Sequence, residues 1–154
     1  MPGPNPGPPP RPPLRLPATL ESLEELRALA LDAGREAGLG PEALGRVELA
    51  LEEAVVNISR HAYDPPGSGV LELSTLALPG GGLRLVLADQ GRPFDPVHVP
   101  EEEPELEAGL EANLEADLEH RLPGGMGLFL IRSLAQASYR REGDENLLTL
   151  DFAP

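Results

Sequence analysis

Apolar residues in this chain recur at two periods, and the change of period marks out the elements. Leu23, Leu26, Ala30, Ala33 and Ala37 fall three or four residues apart, on one face of a predicted helix. Thr19 or Ser22 is available to cap it, and Gly38 and Gly40 end it. Pro41 suits the first turn of a second helix. Its stripe is Val47, Leu51, Ala54, Ile58 and Ala62, and Asp64-Pro65-Pro66-Gly67 stops it. The period then drops to two. Val70–Leu78 and Leu83–Ala88 alternate around Pro79-Gly80-Gly81-Gly82, which predicts a hairpin with Leu71, Leu73, Leu83, Leu85 and Leu87 in the core. A third helix is expected from Gly124 to about Ala137. Two closing strands, Ser138–Arg141 and Leu147–Phe152, should turn through Gly143-Asp144. Leu14–Pro17 reads as a short edge strand, where proline is tolerated. The order is strand, helix, helix, hairpin, helix, hairpin. It predicts an α/β two-layer sandwich with helices on one face of a mixed, mostly antiparallel sheet.

Composition narrows the function classes. The 154 residues suffice for one domain with a real core, here 14–154. Residues 1–13, MPGPNPGPPPRPP, can form neither helix nor ladder strand and read as a disordered or polyproline tail. That tail is either a ligand for a proline-recognition groove or a plain extension. The net charge is −14, every basic residue is arginine, and there is no lysine. Such a chain is a poor nucleic-acid or membrane binder and points to proteins or small ligands as partners. No lysine can act as nucleophile or phosphate clamp, and with no cysteine there is neither disulfide nor thiolate chemistry. No apolar run reaches the roughly 18–20 residues of a membrane span. A cytoplasmic location is the expectation.

Three short motifs carry the candidate chemistry. Glu53, Asn57, Arg60 and His61 share one polar face of the second helix, although helix interiors disfavour asparagine. Asp89-Gln-Gly91-Arg-Pro-Phe94-Asp95 follows a strand. An aspartate there can accept a hydrogen bond from an exocyclic amine, and a glycine lets backbone approach a flat ligand. Gly124-Gly125-Met126-Gly127-Leu128 opens a helix, where unpaired amides and the helix dipole favour phosphate. It lacks the lysine of a Walker loop. Singly, each has an ordinary reading: a solvated helix face, an Asp-x-Gly turn, a flexible hinge.

Taken in order, the three motifs resemble the N, G1 and G2 boxes of the GHKL ATP-binding superfamily, whose fold is the Bergerat-type ATP-binding sandwich. The run Glu-Ala-Val-Val-Asn57-Ile-Ser-Arg-His61-Ala-Tyr63, the form Asp89-x-Gly91-x-x-Phe94-Asp95 and Gly125-Met-Gly127-Leu-Phe-Leu-Ile131 resemble the anti-sigma factor serine kinases of the RsbW and SpoIIAB type. The resemblance spans residues 14 to 152. It implies that Asn57 ligates Mg²⁺ on the phosphates of ATP, that Asp89 binds the adenine amine and that Gly91 makes room for the ring. It further implies that Gly124, Gly125, Met126, Gly127 and Leu128 hold phosphates, with Arg60 as a nearby cation, and that Thr149 supports the adenine side through water. Glu53 would be the general base that takes the proton of a substrate serine. The implied partners are a STAS-domain anti-anti-sigma protein, a sigma factor and a second copy of the chain. His61 lacks the preceding dimerisation helices of a phospho-accepting histidine and reads as a packing residue. A non-catalytic ATP-sensing module and a detached histidine-kinase ATPase domain are the alternatives.

Residues 96–123 fall where the superfamily has its ATP lid. Residues 101–119 carry nine carboxylates and no arginine. Leu106, Leu110, Leu114 and Leu118 step by ~400°, so the stripe drifts by about 40° each time. That suits docking on a surface rather than a coiled-coil seam. A docked stripe would gate nucleotide access; an undocked one is solvated decoration.

Overall fold

A computed structural model describes residues 11–97 and 131–154. The expectations for most of the tail, for the lid and for the run 124–128 lie outside the described residues. Five strands, β1 (Leu14–Pro17), β2 (Val70–Ala77), β3 (Leu83–Asp89), β4 (Gln136–Glu142) and β5 (Glu145–Phe152), form one sheet in the order β1-β2-β3-β5-β4. The helices are α1 (Leu23–Glu36) and α2 (Pro41–His61). Every pairing among the described strands is antiparallel.

The two-layer packing follows from the predicted stripes. Leu26, Ala30 and Ala33 of α1 and Val47, Leu51 and Ala54 of α2 are buried, as are Leu71 and Leu73 of β2 and Leu83, Leu85 and Leu87 of β3. Together with Leu148, Leu150 and Phe152 of β5 they make one apolar core. Each large core leucine resists truncation by about 2–5 kcal/mol. Ser22 precedes α1 but caps nothing: its hydroxyl donates to the Pro17 carbonyl at 2.7 Å and ties β1 to the helix start. Thr19 likewise makes no side-chain cap, ahead of a short 3₁₀ turn, Leu20–Ser22.

The third helix ends earlier than predicted. Residues 131–134 are helical, and the chain is extended from Gln136. Ala135 and Ala137 favour helix on propensity alone. Pairing with β5 along the whole of β4, from Gln136 opposite Asp151 to Glu142 opposite Glu145, overrides that preference. The last hairpin is thus longer than expected, and β5 begins at Glu145 rather than Leu147.

Candidate functional site

The inward row of β3 reads Leu83, Leu85, Leu87, Asp89, and that of β5 reads Asn146, Leu148, Leu150, Phe152. Both rows are apolar except at one end, and the two polar ends are paired, Asp89 opposite Asn146. Asn57 lies on the buried side of α2. Asn57, Asp89 and Asn146 retain 5, 7 and 5 % of their surface, so each polar group must find its partners inside the protein or in a ligand.

They meet in a cleft open to solvent. Ala54, Asn57, Ile58 and Ala62 of helix α2 and its C-terminal cap form one wall. Arg92, Phe94 and Pro96, from the loop after β3, form another, and Tyr139, Asn146 and Leu148 close the far side with Ile131.

On the sheet side the polar groups bond to one another. Asp89 Oδ1 accepts from the Gly91 amide at 2.9 Å and from Asn146 Nδ2 at 2.9 Å. Tyr63 braces the same loop. Its hydroxyl accepts from the Gln90 amide at 2.8 Å and donates to the Val70 carbonyl at 2.5 Å, joining the end of α2 to β2 and to the loop after β3. Gly69 lies under the Tyr63 ring, where a Cβ would come within 2.1 Å of it.

The helix side differs. Among the described residues, the buried Asn57 Nδ2 has no hydrogen-bond partner. His61 packs its ring against Phe94, centroids 6.1 Å apart and tilted by 34°, and its Nε2 is likewise buried without a partner. Burial, then the charges of Arg60 and Arg92, hold the His61 pKa below its ordinary value.

Asn57 and Asp89, singled out from the sequence, are therefore brought together. Glu53 is half-buried one turn before Asn57, outside the lining of the cleft, and Arg60 is exposed. One expectation needs correction. Thr149 pairs with Val86, on the sheet face away from Asp89, so it cannot reach an adenine bound there. Gly91 meets a packing constraint besides the expected room for a flat ring. A Cβ on it would fall 2.2 Å from the Ala62 carbonyl oxygen, so glycine lets the loop pack on the end of α2, where the Arg92 amide donates to that same carbonyl at 2.8 Å. Asn146 and Tyr139 went unnoticed in the sequence. Counting back by twos from Phe152 would have found Asn146 as the one polar residue in an inward apolar row.

The donor set suits a nucleotide. An unpaired buried amide across a cleft from a carboxylate offers both donor and acceptor chemistry to a ligand. Among the described residues no three His, Asp or Glu side chains converge as a metal cage. A Mg²⁺ held by the Asn57 side-chain oxygen and by a ligand's own phosphates would match the preference of that ion, with the unpartnered Nδ2 left to donate to a phosphate oxygen.

Comparison with known proteins agrees. Residues 16–152 match the family described as the histidine kinase-like ATPase domain. No curated protein sequence matches. Among solved structures, the RsbU and RsbW domains of Rv1364c from Mycobacterium tuberculosis superpose with a TM-score of 0.54 at 20% identity, covering 94% of this chain and 33% of that one. The SiaB-SiaC complex from Pseudomonas aeruginosa gives a TM-score of 0.53 at 16% identity, over 94% of this chain and 91% of that one. This chain thus spans a third of the mycobacterial chain, and at such identities the likeness is one of fold. With the motifs in order, an α/β sandwich behind them and a family match over nearly its whole length, the chain belongs to the histidine kinase-like ATPase domain family.

Proposed function

We propose that this chain is an ATP-dependent protein serine kinase and anti-sigma regulator that phosphorylates a serine of a STAS-domain partner from Mg·ATP. The observation that carries the reading is the buried, unpartnered amide of Asn57 across one cleft from the Asp89 carboxylate. In this proposal Asp89 accepts from the adenine amine and Asn57 holds Mg²⁺. Arg60 and the backbone of Gly124, Gly125, Met126, Gly127 and Leu128 neutralise the phosphates, while Gly91 supports the Asp89 loop from below. Mg²⁺ supplies charge neutralisation on the phosphates. Glu53 takes the hydroxyl proton as the serine oxygen bonds to the γ-phosphorus and the bond to ADP breaks. The chain works as a homodimer in the cytoplasm and alternately holds a sigma factor and the STAS protein. Among the described residues no helix is long and apolar enough to cross a membrane.

One observation favours a second reading, an ATP-sensing module that captures its partner without phosphorylating it: Glu53 stands outside the lining of the cleft. Incubation with Mg·ATP and the STAS proteins of the same genome decides between the two. Phosphoserine on a STAS protein supports the kinase. ATP-dependent capture without transfer to any of them sinks it and leaves the sensor.

A further inference from the structure

Asn146 carries the most fully bonded side chain at the site, and the proposed chemistry does not use it. Its amide nitrogen donates to Asp89 Oδ1 at 2.9 Å and to the Arg92 carbonyl at 2.8 Å. Its amide oxygen accepts from the Tyr139 hydroxyl at 2.5 Å and from Arg141 Nη1 at 3.1 Å. Both donors and both lone pairs are in use. The amide cannot be turned over, because its nitrogen faces a carboxylate and a carbonyl, which only accept, and its oxygen faces a guanidinium, which only donates. The same guanidinium nitrogen donates to the Gly91 carbonyl at 2.7 Å. The loop after β3 is therefore tied to the last hairpin at Asp89, Gly91 and Arg92.

The tie acts on one oxygen. Among the described residues, both hydrogen bonds accepted by the Asp89 carboxylate, from Gly91 and from Asn146, end on Oδ1. That fixes the carboxylate plane and leaves Oδ2 to accept from elsewhere, on a residue that lines the cleft. We propose that Asn146, held by Tyr139 and Arg141, is a positioning residue that saturates one oxygen of Asp89 and so makes the other a reader of a single exocyclic amine on a purine. A purine with a carbonyl in place of that amine would set acceptor against acceptor and be rejected. Asn146 fills the adenine-side supporting place expected of Thr149, and it does so through Asp89. The inference rests on the nucleotide-binding reading above.

The test compares the affinities of ATP and of purine riboside triphosphate, which lacks only the exocyclic amine, by calorimetry on the full chain. The wild type should prefer ATP by roughly ten- to a hundredfold. Asn146→Asp keeps the shape and the acceptor but replaces the donor by a charge facing Asp89. It should bring the preference to within about threefold, chiefly by weakening ATP. Tyr139→Phe and Arg141→Gln leave Asn146 and Asp89 in place, should lower the preference in part, and carry the test if Asn146→Asp does not fold by circular dichroism. Equal weakening of both ligands, with the preference unchanged in every folded variant, means a merely structural role and overturns the proposal. A wild type that binds both equally overturns it too. A wild type that binds neither overturns the ATP-binding reading itself.

Discussion

The two walls of the cleft are built on opposite terms. On the sheet wall, Asp89, Gly91, Tyr139, Arg141 and Asn146 bond to one another, and Asn146 has no hydrogen bond left to give. On the helix side, Asn57 in the wall and His61, packed on Phe94, each keep a buried nitrogen with no partner among the described residues. An unmet buried polar atom costs roughly 1–3 kcal/mol, and a folded chain tolerates it where a ligand repairs it. The sheet wall is thus held by its own hydrogen bonds, whereas the unmet Asn57 nitrogen is a cost that a bound ligand would offset. Changes on the two walls should separate these effects.

The largest effect belongs on α2, one turn before the helix wall, and in function alone. Glu53→Ala should lower phosphotransfer by about 10²–10⁴-fold, with ATP affinity and melting temperature essentially unchanged. A phosphotransfer assay beside a thermal melt checks both, and a loss of folding would break the contrast. Next comes the sheet wall. Gly91→Ala drives a Cβ into the Ala62 carbonyl and should destabilise the protein by about 1–3 kcal/mol, read by urea denaturation with or without nucleotide. Asn57→Ala should do the reverse: Mg-dependent ATP binding weakens by about tenfold or more, while stability holds or rises as the unmet amide disappears. A large fall in stability would show that Asn57 is structural.

Smaller still is a pH effect. Because the folded His61 pKa is lowered, its contribution to stability is fully present above the ordinary value of 6.5 and is lost as the pH falls through the folded pKa. Melts from about pH 7.5 to about pH 5 should show wild type losing ground to His61→Gln on acidification. A constant difference between the two would remove His61 from the unmet set. Thr149→Val, on the outer sheet face, should shift ATP affinity by less than about twofold and stability by about 0.5 kcal/mol or less.

Legibility in the sequence followed the same division. The stripes of α1 and α2 and the alternation of β2 and β3 announced the core, because burial on one face leaves a period behind it. Asn57 and Asp89 stood out as polar residues that broke an element's rule and sat in recognisable motifs. Thr149 misled because a motif match fixes a place in sequence but not a side of the sheet, and one residue of register reverses the side. Asn146 was hidden for the same reason. Its partners Tyr139 and Arg141 come from β4, whose start was misjudged when two alanines read as helix. What Gly91 packs against could not be read at all, since Ala62 lies 29 positions away and the contact is made only on folding.

Tyr63 and Tyr139 are the chain's only tyrosines, it has no tryptophan, and each phenol bonds a neighbour of Asp89, one the Gln90 amide and one the Asn146 side chain. The tyrosine near-ultraviolet absorption and emission of this protein therefore arise wholly from these two phenols, one on each side of the Asp89 loop. Without any introduced label, a change in that signal on adding a ligand reports the loop after β3, its junction with the end of α2 and β2, and the last hairpin.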